Sequence, residues 1–507
     1  MIDYCADRSP ACLVACAETD VFHADQLVDT CVDCVADAAH SRGVLTLGIG
    51  HGPVQSAQSG NPGTRLTATE GNRQVRLLRQ LRCLPLAFAA ASLALTAQMP
   101  AGMSMPMPET TAAPAPFIAA QLQHAGSGTS VEPNATPTPM LMTTGRGWSL
   151  MLHGQAFIAG QQQTGPRGFD KLFSTNWVMG MAQRSWGPGQ LTLRSMLSLE
   201  PATITDRQYP ELFQTGETAF GRAIVDGQHP HNFFMELAAL YDLRPAPNLL
   251  FTVYAAPMGD PAIGPEAFPH RASAADDPLA PLGHHLEDST HIATGVVTLA
   301  ATYRDLRLEG SAFHGREPNE HRWTIPIGGL DSYSWRLTLN PAAAWSGQFS
   351  WAHIKSPEAL NPELDQIRMT ASLMYNRRLA RGNWANTLLW GRTRNVGGGH
   401  ILNGYLAESD LDVARNHLWT RLENVDKSND LVLGESPQPP GFEEQFLGRI
   451  QAYSWGYSRE LPAPRWSTLT LGAQWTLYHT PAALQAIYGA HPTGLAIYLR
   501  LGLGSTP

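Results

Sequence analysis

The sequence predicts an all-β fold: a single antiparallel transmembrane β-barrel of about 16 strands, with long extracellular loops and short periplasmic turns. Three observations support this prediction. From Trp148 onward, apolar and polar residues alternate with a period of two. Most alternating segments have the length of ~9–11 residues that a tilted strand needs to cross a bilayer. The connections between the segments are alternately short and long along the chain.

A secretory signal is predicted upstream of the barrel. In the string RQVRLLRQLRCLPLAFAAASLALTAQ (73–98), four arginines precede an apolar run from Leu84 to Leu95, which small residues follow. Residues 73–97 are therefore expected to be a signal peptide that directs export and is removed. Residues 1–72 are interpreted as an extension that results from a start site placed too early, or as an unfolded extension.

The cysteines are consistent with export. All 6 lie at or before the signal, so the chain that follows contains no thiol to protect in an oxidising compartment. The alternative for the upstream extension is a cytosolic metal domain, in which Cys31 and Cys34 join Cys12 and Cys16 around zinc.

Residues 98–146 are rich in Met, Pro, Ala and Thr and show no apolar period, so a disordered periplasmic tail is expected. The tail contains soft thioether ligands suited to Cu(I), together with one imidazole. These residues are Met99, Met103, Met105, Met107, His124, Met140 and Met142. Biased composition without a metal function is the alternative.

Sixteen strands are predicted by the alternation. In WSLMLHGQAFIA (148–159), for example, Trp148, Leu150 and Leu152 share one face, while Ser149 and His153 fall on the other. The predicted strands are 148–159, 174–185, 190–199, 232–243, 248–256, 292–303, 306–316, 331–339, 347–355, 366–377, 383–393, 401–411, 416–424, 446–458, 467–479 and 494–503.

The connections favour a closed barrel, because short links follow the even-numbered strands and long links follow the odd-numbered ones. Closure also lets every backbone group find a partner inside lipid. Five tryptophans adjoin the predicted periplasmic ends and would form an aromatic girdle at the headgroup level. They are Trp148, Trp186, Trp345, Trp384 and Trp466. A soluble β-propeller or sandwich is the structural alternative, with these tryptophans in its core.

Other classes fit less well. Charged residues make up 15% of the chain and the net charge is −8, which gives no basis for nucleic-acid binding. Pairs such as Ser273 with His270, or Ser289 with His291, lack the fixed geometry of a nucleophilic site, and no G-x-S-x-G motif occurs. The chain is therefore not expected to be an enzyme.

Function is expected inside the barrel, because sixteen strands enclose an aqueous lumen. Polar residues on the predicted strands would line the pore or form a constriction that selects solutes by charge. The candidates are Arg194, Arg392, Arg394, Glu408, Arg421 and Glu423, with His153 and Gln155. Simple solvation of the pore wall is the alternative role for each.

The loops between 215 and 323 hold a second set of candidates. Imidazole and carboxylate groups form a plausible ligand set for a divalent metal, and His284, Asp288 and His291 would share a face if 284–291 is helical. The predicted metal ligands are His229, His231, His284, His285, Asp288, His291, His314 and His321. The alternative is a polar constriction made by loops that fold inward.

The loop strings TGETAFGRAIVDGQHPHNFFMELAALYD and YAAPMGDPAIGPEAFPHRASAADDPLAPLGHHLEDSTHIATGVV resemble an uncharacterised family of bacterial outer-membrane β-barrel proteins that are porin-like. The resemblance runs from about Trp148 to the C-terminus. It implies the barrel fold and the outer membrane of a Gram-negative bacterium, and it transfers no catalytic residue.

These observations predict a porin-like channel for small polar solutes or ions. The alternative is an outer-membrane barrel that handles copper or another divalent metal through its Met-rich tail and His-rich loops. No cofactor is expected unless that alternative holds. The expected partners are outer-membrane lipid, a small polar solute or ion, and further copies of the chain in a homo-oligomer.

Overall fold

The computed structural model describes residues 113–288, 293–397 and 400–504. The predicted signal peptide and the extension before it lie outside these residues. No helix within the described ranges is long and apolar enough to cross a membrane.

Sixteen antiparallel strands form the barrel wall, each hydrogen-bonded to the strand that follows it in sequence. They are β1 (Trp148–Gln163), β2 (Asn176–Trp186), β3 (Gly189–Leu197), β4 (Phe234–Ala246), β5 (Leu249–Met258), β6 (Thr294–Tyr303), β7 (Leu306–His314), β8 (Ser332–Ala342), β9 (Trp345–Ile354), β10 (Gln366–Leu379), β11 (Gly382–Asn395), β12 (Ile401–Val413), β13 (Asn416–Ser428), β14 (Phe446–Leu461), β15 (Ser467–His479) and β16 (Thr493–Leu503).

The barrel closes between its first and last strands. β1 pairs with β2 along one edge and with β16 along the other, in a register from Gly154↔Leu503 to Gln163↔Gly494. A short strand, Leu141–Gly145, pairs with the first residues of β1 below the point where β16 ends. Every wall strand therefore has two neighbours, which removes the exposed edges that hydrocarbon does not tolerate.

Loop lengths follow the predicted alternation. Turns of two residues follow the even-numbered strands up to β12, and residues 462–466 follow β14. Longer connections follow the odd-numbered strands, among them 198–233 and 259–293. The prediction of sixteen strands with alternating loop lengths is confirmed. Both ends of the barrel chain lie on the side of the short turns.

The remaining elements are short. The helices are α1 (Pro116–Gln121), α2 (Glu200–Thr203), α3 (His284–Glu287), α4 (Asp430–Leu433) and α5 (Gln485–Tyr488). The 3-10 turns are Thr205–Arg207, Ala272–Ala274 and Ala482–Leu484. The minor strands are Lys171–Phe173 beside β1, the pair Tyr209–Pro210 and Gly227–Gln228, and the pair Glu217–Ala219 and Arg222–Ile224.

The wall is apolar outside and polar inside, the reverse of a soluble protein. On β6, Val297 and Leu299 point outward and are 40% and 62% exposed, whereas Thr298 and Thr302 point inward and are buried. Of the five tryptophans at the short-turn ends, Trp186, Trp345, Trp384 and Trp466 are exposed and Trp148 is half-buried. A belt of apolar side chains with aromatic residues at its rim is typical of a transmembrane barrel.

The outward belt makes a prediction. Leu299 lies near the middle of β6, so the Leu299→Arg substitution places a charge in hydrocarbon and is expected to lower the free energy of unfolding by ~2–4 kcal/mol in lipid vesicles. The measurement is a urea titration of the refolded protein followed by tryptophan fluorescence. Leu299→Ala, which stays apolar, is the control and should lose less. Equal losses for both variants would contradict a lipid-facing position.

Candidate functional site: a filled lumen

Residues 115–135, here called the plug, run inside the barrel. They begin at the short-turn end, where the Ala115 backbone N–H donates to Pro247 O at 2.9 Å. Helix α1 follows, with Pro116 at its first turn, where a missing N–H costs nothing. Phe117 and Ile118 of α1 are fully buried. The plug returns to the same end, where Ala135 N–H donates to Ala343 O at 2.8 Å.

The expectation of a disordered tail over 98–146 is wrong for residues 113–146. The composition suggested disorder because this segment has no apolar period and cannot form a core of its own. It is ordered by polar groups of the wall that lie far away in sequence. For example, Gln121 Oε1 accepts hydrogen bonds from Thr302 and Arg307. The earlier residues of the predicted tail lie outside the described residues.

Arg194 on β3 holds the tip of the plug. Its Nη1 donates to the carbonyl oxygens of His124 and Gly126 at 3.1 and 2.5 Å, and its Nη2 donates to Gly128 O at 2.5 Å. Its charge is balanced by Glu236 on β4, which accepts from Nε at 2.5 Å and from Nη2 at 2.7 Å. Both side chains are 1% exposed. Arg194 therefore binds the plug to the wall.

A second segment, residues 259–288, enters the lumen from the opposite end and is called the inner loop. It meets the plug at two carboxyl groups. Ser127 of the plug donates from Oγ to Asp260 Oδ2 at 2.6 Å and from its backbone N–H to Glu266 Oε1 at 3.1 Å. Ser130 Oγ donates to Glu266 Oε2 at 2.9 Å. The plug and the inner loop therefore contact each other inside the lumen.

These carboxyl groups are buried close to other acids. Burial, reinforced by the charge of Glu236, raises the pKa of Asp260 to about 7. Burial, reinforced by Glu132, raises the pKa of Glu266 to about 8. Ordinary values in an unfolded or solvated chain are about 4. Asp260 and Glu266 therefore bind protons while the plug and the inner loop are in contact, and they would release these protons when the two segments separate.

Plug docking is therefore predicted to weaken as pH rises. The docked state holds the extra protons, so its stability is fully present below pH ~4 and is lost as pH rises through about 7 to 8. Proteolysis of the plug, measured relative to that of a denatured substrate at the same pH, should be faster at pH 9 than at pH 6. Glu266→Gln, which is neutral throughout, should flatten this dependence, and Glu435→Gln on an exposed loop should not. An unchanged slope in Glu266→Gln would contradict the assignment.

The inner loop is bound to the far wall by an ion-pair network around Glu408 of β12. Its carboxylate accepts from Arg271 Nε at 2.8 Å, from Arg421 Nε at 2.9 Å and from Ser273 Oγ at 2.9 Å. Arg421 also contacts Asp277 at 2.7 Å. All of these side chains are buried.

The other lumen candidates on the predicted list divide into two groups. Arg194, Glu408, Arg421 and Glu423 face inward, and Glu423 accepts from the Leu282 N–H of the inner loop at 2.5 Å. His153 and Gln155 also face inward, and Gln155 Nε2 donates to Ala275 O at 3.0 Å. These inward groups contact protein segments where an open pore would have water.

Arg392 and Arg394 do not line the lumen, so this part of the prediction is wrong. On β11 the buried inward positions are Thr387, Leu389, Gly391 and Thr393, and both arginines alternate outward. A Cβ at Gly391 would lie 2.2 Å from Leu286 O, so the inward face must be small where α3 packs against it. The arginines border an outer recess of about 250 Å³ near the end of β11, together with Trp351, Ile367 and Met369. Long cationic side chains can reach the headgroup level from such positions.

Among the predicted metal ligands that the structure describes, three come together. The ring centroids of His284 and His285 are 3.9 Å apart, and that of His229 is 6.2 Å from His285. Gln228 Oε1 lies 3.2 Å from His284 Nε2. Helix α3 ends at Glu287 and Asp288 is extended, so the expected helical face over 284–291 does not form.

The other predicted ligands have separate surroundings. His231 Nδ1 lies 2.7 Å from Glu200 Oε2, and His314 Nδ1 lies 2.7 Å from Asp331 Oδ2. Asp288 lies 3.8 Å from Arg271. His321 is exposed, and His291 lies outside the described residues.

Sequence reasoning missed a different group with ligand atoms in reach of one another. Within the described ranges, Asp276, Asp410 and His417 place one ligand atom each within 4.8 Å of the others. Asp276 of the inner loop lies 3.0 Å from His417 and 3.1 Å from Arg500. Burial alone would raise the pKa of Asp276, but these cations hold it below the ordinary value. No sequence spacing could have joined a loop residue to two strands that follow more than a hundred residues later.

No protein-family profile matches this chain, and no curated protein matches it. Solved structures similar to it include an anion-selective porin from Comamonas acidovorans, at 11% identity and a TM-score of 0.42, over 70% of this chain and 100% of that one. Pseudomonas putida OprB is similar at 9% identity and a TM-score of 0.42, over 70% and 94%. Salmonella typhi OmpF is similar at 10% identity and a TM-score of 0.41, over 71% and 100%.

The fold of this chain follows from its own geometry. Sixteen strands close on themselves, the outer face is apolar, and short turns and long loops lie at opposite ends. An even-stranded antiparallel barrel of this kind is the architecture of bacterial outer-membrane proteins. The described part of the chain is a closed, sixteen-stranded β-barrel of the outer-membrane type.

Proposed function

We propose that this protein is a gated outer-membrane channel for small polar solutes or ions, closed in this conformation by the plug and the inner loop. A wall of sixteen strands is wide enough to hold an aqueous lumen once both segments move aside. The channel needs no catalytic group, and we propose that the chain is not an enzyme.

The observation that carries the proposal is the chemistry of the wall under the plug. The plug contacts Gln183, Gln190 and Arg194, each of which donates a hydrogen bond to a plug carbonyl. Such groups can exchange their protein partners for water at small net cost. An apolar wall would instead lose favourable burial on release. At these three positions the contact is reversible in a way that a hydrophobic core is not, although Ile118 and Leu122 of the plug also pack against Leu250 of β5 in a small apolar cluster.

Planar-bilayer recording tests the channel. The purified protein should give rare, small openings. A variant that lacks residues 115–135 should show a conductance at least about tenfold higher, because only the inner loop then remains in the lumen. Retained folding is checked by the shift in gel mobility on heating and by circular dichroism. A folded deletion variant that conducts no more than the parent would overturn the proposal.

The second candidate function is metal handling at the extracellular side. The clustering of His229, His284 and His285 favours it. Titration of the refolded protein with ZnCl₂ should show saturable binding that His284→Ala/His285→Ala removes. A protein that conducts and takes up no metal saturably would eliminate this second candidate.

A further inference from the structure

A patch of methionines faces the lumen beside the plug. Met151, Met179, Met181, Met196 and Met235 are in contact with one another and are at most 7% exposed. Met140, which follows the plug, packs against them. The patch places five thioethers side by side on strands β1 to β4, whereas the other buried apolar clusters of the lumen consist of aliphatic and aromatic residues.

The strand register places the sulfur-bearing residues in rows. His153 of β1 is paired with Met179 of β2, and Met179 is paired with Met196 of β3. In the neighbouring row, Met151 is paired with Met181. Directly paired residues on one face have Cβ atoms ~4.5–5.5 Å apart, which allows two thioethers and an imidazole to reach a common ion.

Two buried histidines without hydrogen bonds border the rows. The rings of His153 and His270 lie 5.4 Å apart, and both contact Trp177. His153 is 9% exposed and the His270 side chain 5%. His153 Nε2 and both ring nitrogens of His270 have no hydrogen-bond partner in the described part of the chain. A buried imidazole nitrogen without a partner is costly, which indicates that another group completes it.

The charge of the site selects the ion. Thioethers are neutral ligands, and an imidazole binds a metal ion in its neutral form. Two charged groups border the site: Glu266 of the inner loop, whose Oε1 lies 3.9 Å from His270 Nδ1, and Arg194 of the wall, which Glu236 already balances. One neighbouring carboxyl group compensates at most one positive charge, so a buried divalent cation would lack compensation, whereas a soft monovalent cation matches both this charge and the softness of sulfur.

We propose that Met179, Met196 and His153, together with His270, form a binding site for Cu(I) or Ag(I) on the lumen wall. The site shares no residue with the cluster of His229, His284 and His285 or with the methionines before the plug. It does not depend on whether the lumen conducts.

Silver nitrate is the direct probe, because Ag(I) needs no reductant. Full-length protein in detergent is incubated with Ag(I), passed through a desalting column and analysed by mass spectrometry of the metal. Bicinchoninate competition under ascorbate gives the Cu(I) affinity. Met179→Leu/Met196→Leu conserves volume and should fold, and it should lower the affinity at least about tenfold with the loss of one bound ion. Met374→Leu, a buried methionine of β10 outside the patch, is the matched control.

A second readout separates ligation from packing. X-ray absorption of the Cu(I)-loaded protein should show sulfur and nitrogen scatterers. His153→Gln should reduce the nitrogen scattering to the share of His270, while the sulfur scattering remains. Unchanged silver content and Cu(I) affinity in Met179→Leu/Met196→Leu would overturn the proposal. So would wild-type protein that retains no metal, since the methionines would then serve only as packing.

Discussion

Replacing Arg194 with alanine is expected to release the plug and open the lumen. The substitution removes donors from the carbonyl oxygens of His124, Gly126 and Gly128 and leaves the Glu236 carboxylate buried without its cation. Loss of one partner of a buried pair costs about 3–5 kcal/mol. The plug can leave the wall while the sixteen strands remain paired in a ring. The lost free energy therefore mainly weakens the docking of the plug. Planar-bilayer conductance should therefore rise toward that of the deletion variant.

Arg392→Ala is the matched control, because this arginine borders the outer recess and does not contact the plug. Its conductance should equal that of the parent. Proteolysis gives an independent check, since a released plug is cut faster while the barrel wall resists. Folded Arg194→Ala protein that remains closed and protease-resistant would show that the plug is held by other contacts.

The second large effect is expected from Glu408→Ala. This carboxylate receives hydrogen bonds from Arg271 of the inner loop and from Arg421 of the wall, so its removal leaves two buried guanidinium groups facing each other. We expect a loss of about 3–5 kcal/mol, felt as undocking of the inner loop. Hydrogen exchange of residues 266–277 should become at least about tenfold faster, since a tenfold change corresponds to ~1.4 kcal/mol.

Glu363→Ala in an exposed loop serves as the control for Glu408→Ala, and its exchange rates should match those of the parent. If Glu408→Ala left the exchange of 266–277 unchanged, the inner loop would not depend on this network. A double variant, Arg194→Ala/Glu408→Ala, should conduct more than either single variant, because each substitution releases a different segment.

The candidate site shows where sequence reasoning reached its limit. The polarity of Arg392 and Arg394 suggested that they line the lumen, yet both face outward. The sequence alone does not show which face of β11 is inward, because the neighbouring residues Leu388 and Leu389 are both apolar and lie on opposite faces. The small inward residue Gly391 was the available signal, since it leaves room for α3. Such a signal becomes readable only when the position of the inner loop is known.

The plug and the methionine patch were missed for a related reason. Residues 115–135 show no apolar period, and much of their order comes from donors such as Gln183 and Arg194 on strands formed later in the chain. The five methionines are scattered over four strands, and only the pairing registers join them into rows. The metal expectation therefore went to the methionines and histidines that are close in sequence.

The sequence by itself determined the strands, their alternation, the order of short and long connections and hence the closed barrel, because these depend on local period and on the need to satisfy backbone groups in lipid. Only the tertiary structure decided what occupies the lumen. The contacts of Arg194 with the plug and of Glu408 with the inner loop join residues that lie 66 to 137 positions apart. No local pattern encodes such pairs, since their partners meet only after the wall has closed.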